Sequence, residues 1–143
     1  MRRVPRIKSV MTPFPHSVAA DATLAEAEAL MASHHVRHLP VKKGTSLIGV
    51  ISEREVRLAL DPQRGKVDPG WRVRDVASLD VYVVDLSTPL DEVLAYMARS
   101  HVSCALVRKG TRLVGVFTTT DACRLFGEFL RGQDDHPGGR FRR

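Results

Sequence analysis

The sequence predicts an α+β protein made of two β-α-β-β-α repeats packed about a pseudo-twofold axis. Three observations carry this. One gapless offset of 66 residues relates the halves: Gly49 falls on Gly115, Val18 on Val84, Leu24 on Leu90, Met31 on Met97 and His35-Val36 on His101-Val102, which points to duplication. Leu24, Ala27 and Met31, and again Leu90, Val93 and Met97, recur at i, i+3 and i+7, giving one apolar helical face per half. Lys42-Lys43-Gly44-Thr45 and Arg108-Lys109-Gly110-Thr111 supply hairpin turns, with glycine available for positive φ. A unit of about 50 residues has little core of its own, so the two copies are expected to bury their apolar faces together.

Each copy opens with a short β-branched segment, around Val18 or from Val81 to Val84. A helix follows. Thr23-Leu24-Ala25-Glu26 reads as a capping box, and Thr88-Pro89 as a cap residue followed by proline at the first helical position. Strands are expected at His38 to Val41 and Cys104 to Val107, with hairpin partners at Leu47 to Ile51 and Leu113 to Phe117. A second helix runs from about Glu53 to Leu60, and from about Thr119 to Leu130 in the other copy. Residues 61–72, rich in proline, glycine and charge, read as an exposed linker. The resulting organisation is a basic extension over 1–8, one repeat over 9–60, the linker, a second repeat over 73–130, and a flexible basic tail over 131–143.

The chemistry concentrates where the second strand of each copy meets its second helix. Gly115-Val116-Phe117-Thr118-Thr119-Thr120-Asp121 and Gly49-Val50-Ile51-Ser52-Glu53-Arg54-Glu55 each stop an apolar run at a hydroxyl and reach a carboxylate three positions later. Free backbone N–H groups, hydroxyls and one acid around a single point can hold a phosphate and a sugar. The same spacing is that of a capping box, in which the hydroxyl and the acid satisfy each other's backbone N–H groups.

Charge does not point to a nucleic-acid groove. The formal net charge is +6, yet Arg2, Arg3, Arg6 and Lys8 give +4 in the first eight residues, and Arg131, Arg140, Arg142 and Arg143 against Asp134 and Asp135 give +2 over 131–143, leaving a neutral body. Two basic ends on a neutral domain read as solvated tails. The alternative function is an adaptor that binds protein or nucleic acid through these ends, with vestigial clefts. No apolar run approaches the roughly 20 residues of a membrane span, and no signal-peptide pattern follows the N-terminal arginines, so a cytoplasmic protein without membrane contact is expected. Cys104 and Cys123 are too few for a disulfide framework and are expected to be reduced.

Taken together, Val10-Met11-Thr12, His35-Val36-Arg37-His38-Leu39-Pro40-Val41, and Leu47-Ile48 leading into the Gly49 to Glu55 junction resemble the cystathionine beta-synthase (CBS) domain. The second copy matches from about Val73 to Leu130, and the whole resembles a tandem CBS pair, or Bateman module. The resemblance implies two clefts between the repeats, in which adenine nucleotides (AMP, ADP or ATP) or S-adenosylmethionine bind without an obligatory cofactor. It implies that the acid after the turn takes the ribose hydroxyls and nearby hydroxyls take phosphate. By that correspondence Thr118, Thr120 and Asp121, with Thr12, Val36 and Arg37 contributed across the cleft, form the favoured site. Ser52, Arg54 and Glu55, with Ser78 and Ser103, form the second. There Glu55 stands where aspartate is usual, and its extra methylene displaces the carboxylate by about 1.5 Å, one covalent bond. Arg54 replaces a threonine and offers a guanidinium to a phosphate instead, which leaves three readings of this second cleft: altered in specificity, empty, or purely structural.

The expected function is therefore that of a regulatory, non-enzymatic module that senses an adenosyl ligand and signals to an unidentified partner protein, with homodimerisation through its helices. No nucleophile elbow, Walker loop or zinc-protease motif occurs. His34, His35 and His38 have the look of a metal cluster, but the chain changes from helix to strand between them, and His35 and His101 sit where a helix C-terminus favours histidine. No metal site is expected.

Overall fold

A computed structural model describes residues 3–13, 15–65 and 68–134. In chain order its elements are β1 (Thr12–Pro13), β2 (Val18–Ala19), α1 (Leu24–His34), β3 (His38–Lys43), β4 (Ser46–Ser52), α2 (Glu53–Leu60), α3 (Val73–Val76), β5 (Tyr82–Asp85), α4 (Leu90–Ser100), β6 (Cys104–Lys109), β7 (Arg112–Thr118) and α5 (Thr119–Asp134). The expected β-α-β-β-α unit occurs twice. In the first copy β2 pairs in parallel with β3 and β3 in antiparallel with β4; β5, β6 and β7 repeat the arrangement. The equivalence extends to the bulges, between Val41 and Lys42 and between Val107 and Arg108. Gly44 and Gly110 turn the two hairpins at φ 63° and 61°.

Local chemistry sets the helix ends. Thr23 and Glu26 form the expected capping box, each accepting from the other's backbone N–H at 3.1 and 3.2 Å. α4 departs from expectation: Pro89 is the cap residue and Leu90 the first helical one. Thr88 cannot cap because it is held outside the helix, its carbonyl accepting from Ile7 N–H at 2.8 Å. α1 and α4 both end on a histidine in the left-handed conformation, His35 at φ 55° and His101 at φ 56°. Glycine is usual at such a position.

The two sequence repeats are not separate packing units. Ile7, fully buried, belongs to the core of the second copy with Val93, Val107 and Phe117. Val73, its counterpart at the 66-residue offset, is fully buried in the core of the first copy with Leu24, Leu39, Ile51 and Val56. Each segment crosses to the opposite repeat. β1 adds an edge strand to the second sheet, giving the order β1-β7-β6-β5, while Ser78 and Val50 exchange two backbone hydrogen bonds of 2.9 and 3.0 Å against the first sheet. Burying each of these side chains contributes about 1.5–3 kcal/mol, so the crossed segments hold the repeats together while, against expectation, each repeat keeps its own core cluster.

The crossing changes how the N-terminus reads. Residues 1–8 are expected as a solvated basic extension, but Leu90 N–H donates to Pro5 O, Ile7 N–H to Thr88 O and Lys8 N–H to Leu86 O, and Arg6 reaches the Ser87 carbonyl. Docking follows from Ile7, the fully buried apolar residue between Arg6 and Lys8. At the other end α5 continues to Asp134, and the remainder of the expected basic tail lies outside the described residues. Among the described residues, no helix is long and apolar enough to cross a membrane.

Candidate functional site

The two strand-to-helix junctions are built alike. Gly49 and Gly115 sit three residues before the cap residue because another segment passes directly over them. A Cβ on Gly49 would lie 2.5 Å from the Ser78 carbonyl oxygen, and one on Gly115 would overlap the Met11 side chain. The crossing segments thereby reach the junctions: Thr12 pairs with Val116, and Ser78 with Val50. The residue after each cap is tied to the connection between the first helix and the following strand of its own repeat. Glu53 N–H donates to Arg37 O at 2.8 Å, and Thr119 N–H to Ser103 O at 3.1 Å.

At both junctions the acid serves as a helix cap. Ser52 N–H donates to Glu55 Oε1 at 2.8 Å and Glu55 N–H to Ser52 Oγ at 3.1 Å. Thr118 N–H donates to Asp121 Oδ2 at 2.9 Å, the Thr118 hydroxyl donates to the same oxygen at 3.2 Å, and Asp121 N–H returns to Thr118 Oγ1 at 3.4 Å. The two acids differ in what remains. Asp121 is 7% exposed, the one buried polar or charged residue among those described, and its Oδ1 accepts from Arg124 at 3.1 Å. Glu55 keeps Oε2 without a hydrogen bond among the described residues.

The Glu55 junction opens on a chamber of about 190 Å³ walled by Ser52, Glu55, Ser78, Tyr82, Ser103 and Cys104, with His38 at its edge. Four of the five residues expected for the second cleft thus meet in one cavity. The fifth, Arg54, lines an adjoining open depression of about 630 Å³ with Arg37, Arg57 and Arg64. His38, Ser52 and Ser103 wall both spaces. His38 Nε2 lies 3.1 Å from Ser103 Oγ, which ties the first repeat to the second at the threshold.

Of the residues expected at the other cleft, Thr118 and Asp121 are joined through the cap, and Thr12 lies on β1 opposite Val116, two residues before Thr118. Thr120 is exposed on the first turn of α5. Val36 is half-buried against the first core, and Arg37 lines the depression beside the Glu55 chamber. Phe14, which follows β1, lies outside the described residues.

Burial shapes the titration of the chamber. It lowers the pKa of His38, with Glu55 pulling upward and Arg37 reinforcing the depression. Burial, aided by Asp121, pushes the Cys104 thiol up to about 12, so this cysteine is a neutral wall and no nucleophile. Sequence reasoning missed His38 as a threshold residue, Arg57 and Arg64 as partners of Arg54, and Arg124 as the clamp on Asp121. The offset carries a signal for the first, since His38 is the counterpart of Cys104. Spacing carries one for Arg57 and Arg124, each one helical turn beyond a residue already singled out. Among the described residues no group of three or more histidine, cysteine or acidic side chains is placed to hold a metal.

Comparison with known proteins decides the family. The CBS domain family model matches twice, over residues 7–62 and 73–128. The chain belongs to the CBS domain family. Those matched segments begin at Ile7 and Val73, the two residues that cross between repeats. Among solved structures, the CBS domain pair of protein MJ0100 in complex with 5′-methylthioadenosine and S-adenosyl-L-methionine is 25% identical with a TM-score of 0.75, covering 86% of this chain and 100% of that one. CBSX2 in complex with AMP is 23% identical with a TM-score of 0.73, covering 87% and 97%. Inosine-5′-monophosphate dehydrogenase of Thermoplasma acidophilum is 25% identical over 122 residues, 85% of this chain and 24% of that protein. The chain spans a quarter or less of the length of the curated relatives it matches, from 11% to 24%.

Proposed function

We propose that this chain is a regulatory module that binds an adenine nucleotide or related adenosyl ligand between its two CBS repeats and passes the ligand-dependent state to a partner protein. The observation that carries the reading is the pair of junctions at which a strand, a hydroxyl cap and an acid meet a segment crossing from the other repeat. A ligand held there touches both repeats at once, so its binding free energy reports on their relative placement. The complexes of the MJ0100 CBS pair and of CBSX2 with adenosyl ligands support the ligand class. Hydroxyls and helix N–H groups are suited to phosphate and a carboxylate oxygen to ribose hydroxyls.

The proposed module does no chemistry on its ligand: both acids are tied into caps, and His38, the base that walls the Glu55 chamber, is engaged with Ser103. It works in the cytoplasm and pairs with a second copy through α4 and α5, where Leu94 and Phe126 are 38% and 61% exposed. Calorimetric titration of the chain with AMP, ADP, ATP and S-adenosylmethionine tests the ligand claim. Binding of at least one is expected, weakened by Asp121→Ala or by Glu55→Gln according to the cleft it fills. Absence of binding, or affinities unmoved by both substitutions, would refute it.

A further inference from the structure

Four arginines line the depression outside the Glu55 chamber, and they come from three parts of the chain. Arg37 lies between α1 and β3, Arg54 and Arg57 on α2, and Arg64 in the turn after it. All four are exposed. Arg57 pairs with Glu53; Arg37, Arg54 and Arg64 make no ion pair among the described residues. Four guanidinium groups against the carboxylate of Glu53 leave a surplus of three positive charges around one open space. Like charges gathered this way repel until an anion arrives, and they focus a field that attracts one.

The cluster belongs to one repeat only. At the 66-residue offset its members correspond to Ser103, Thr120, Cys123 and Leu130, none of them basic. A feature needed by the fold would occur in both copies, as the caps, bulges and crossing segments do. The chamber beside it is small and less charged, with a free Glu55 oxygen, the Ser52 and Ser78 hydroxyls and an aromatic wall at Tyr82. Chamber and depression together fall within the roughly 300–1,000 Å³ of small-ligand sites, with an inner end that carries the Glu55 and Asp80 carboxylates and a cationic mouth.

We propose that this cleft is specific for a nucleoside di- or triphosphate, the nucleoside entering the chamber and the phosphates lying over Arg37, Arg54, Arg57 and Arg64. The inference rests on the adenosyl-ligand reading above and narrows it. One bidentate arginine can serve a monophosphate; a surplus of three charges matches a chain of two or three phosphates. A sulfonium ligand such as S-adenosylmethionine brings a positive charge to the wrong place.

Calorimetry on the full chain with ATP, ADP, AMP, S-adenosylmethionine and inorganic tripolyphosphate tests this, using wild type and the exposed-surface variant Arg54→Gln/Arg64→Gln. ATP and ADP are expected to bind wild type at least about tenfold tighter than AMP, with charge-assisted contacts of this kind, and S-adenosylmethionine more weakly than AMP. The double variant is expected to lose about tenfold or more for ATP and ADP while AMP changes little, so that the ratio collapses. An ATP-to-AMP ratio unchanged in the variant, or AMP or S-adenosylmethionine binding wild type as tightly as ATP, would overturn the proposal while leaving the adenosyl-ligand reading intact. Tripolyphosphate matching ATP would overturn the nucleoside half. Failure of every adenosyl ligand to bind would sink both.

Discussion

Gly49→Ala and Gly115→Ala make the same substitution at equivalent positions, yet the structure assigns them different consequences. The Cβ of alanine at 49 would stand 2.5 Å from the Ser78 carbonyl oxygen, where a carbon–oxygen contact needs about 3.3 Å. The crossing segment must therefore retreat by about 0.8 Å. That oxygen accepts from Val50 N–H at 3.0 Å, and Ser78 N–H donates to Val50 O at 2.9 Å, so the retreat stretches both bonds beyond useful length. Overpacking of about 1–3 kcal/mol and two weakened hydrogen bonds of about 0.5–1.5 kcal/mol each are offset by about 0.4–1 kcal/mol from a stiffer unfolded chain. A net loss of about 3 kcal/mol is expected. At 115 the obstacle is the half-buried Met11 side chain, which has three rotatable bonds and can swing aside, so the loss should be about 1 kcal/mol or less. Urea denaturation with the slopes compared measures both. If Gly115→Ala is as damaging as Gly49→Ala, the distinction between a backbone and a side-chain obstacle fails, and with it the claim that the crossing segment at Ser78 is held by its backbone.

Three further outcomes follow from the geometry. Removing the Arg124 clamp by Arg124→Ala should change stability by less than about 1 kcal/mol, because the arginine is 52% exposed, while tightening any adenosyl ligand that depends on Asp121; calorimetry and denaturation together would expose the error if stability falls and affinity does not rise. Burial depresses the pKa of His38 below its ordinary 6.5, so in the window between the folded and unfolded values the unfolded chain binds the extra proton. The associated stability is fully present above pH 6.5 and is lost as the pH falls through the folded value, so urea midpoints at pH 7.5 and 5.5 should separate more for wild type than for His38→Gln; equal separations would contradict this. With its thiol pushed up to about 12, buried Cys104 should resist a disulfide reagent that reaches exposed Cys123, so native protein should titrate one thiol per chain and denatured protein two, and two fast native thiols would count against the buried wall.

Much of this architecture was legible because duplication converts weak signals into strong ones. A lone Leu47 to Ile51 run is ambiguous between strand and buried helix, but the same pattern at Leu113 to Phe117, behind equivalent glycine turns, leaves hairpins as the shared solution. α2 was readable to its last residue because Ser52 and Glu55 mark its start and the proline-rich segment its end. The crossing of Ile7 and Val73 was not read, although the offset relates them. Each is flanked by basic residues, Arg6 and Lys8 or Arg72 and Arg74, in an element of only three or four residues, too short for periodicity to declare a buried face. The left-handed ends at His35 and His101 were equally silent, since that conformation ordinarily announces itself through glycine or asparagine.

The cap and the ligand site, opposed at the level of sequence, prove compatible in space. A carboxylate has two oxygens, and a capping box uses one of them. Glu55 gives Oε1 to Ser52 and retains Oε2; Asp121 gives Oδ2 to Thr118 and has Oδ1 engaged by Arg124. What separates the junctions is therefore the fate of the second oxygen. The extra methylene that distinguishes Glu55 in sequence does not detach it from its cap. On the Asp121 side a guanidinium from the next helical turn already occupies the oxygen a ribose would need, and the residue at the equivalent place on the Glu55 side, Leu58, offers no such competitor. Divergence between the copies has thus acted on the second helix and on two segments beside it, the connection from α1 to β3 and the turn after α2. It placed arginines around one mouth and an arginine clamp across the other, while the shared backbone of strand, cap and crossing segment stayed the same.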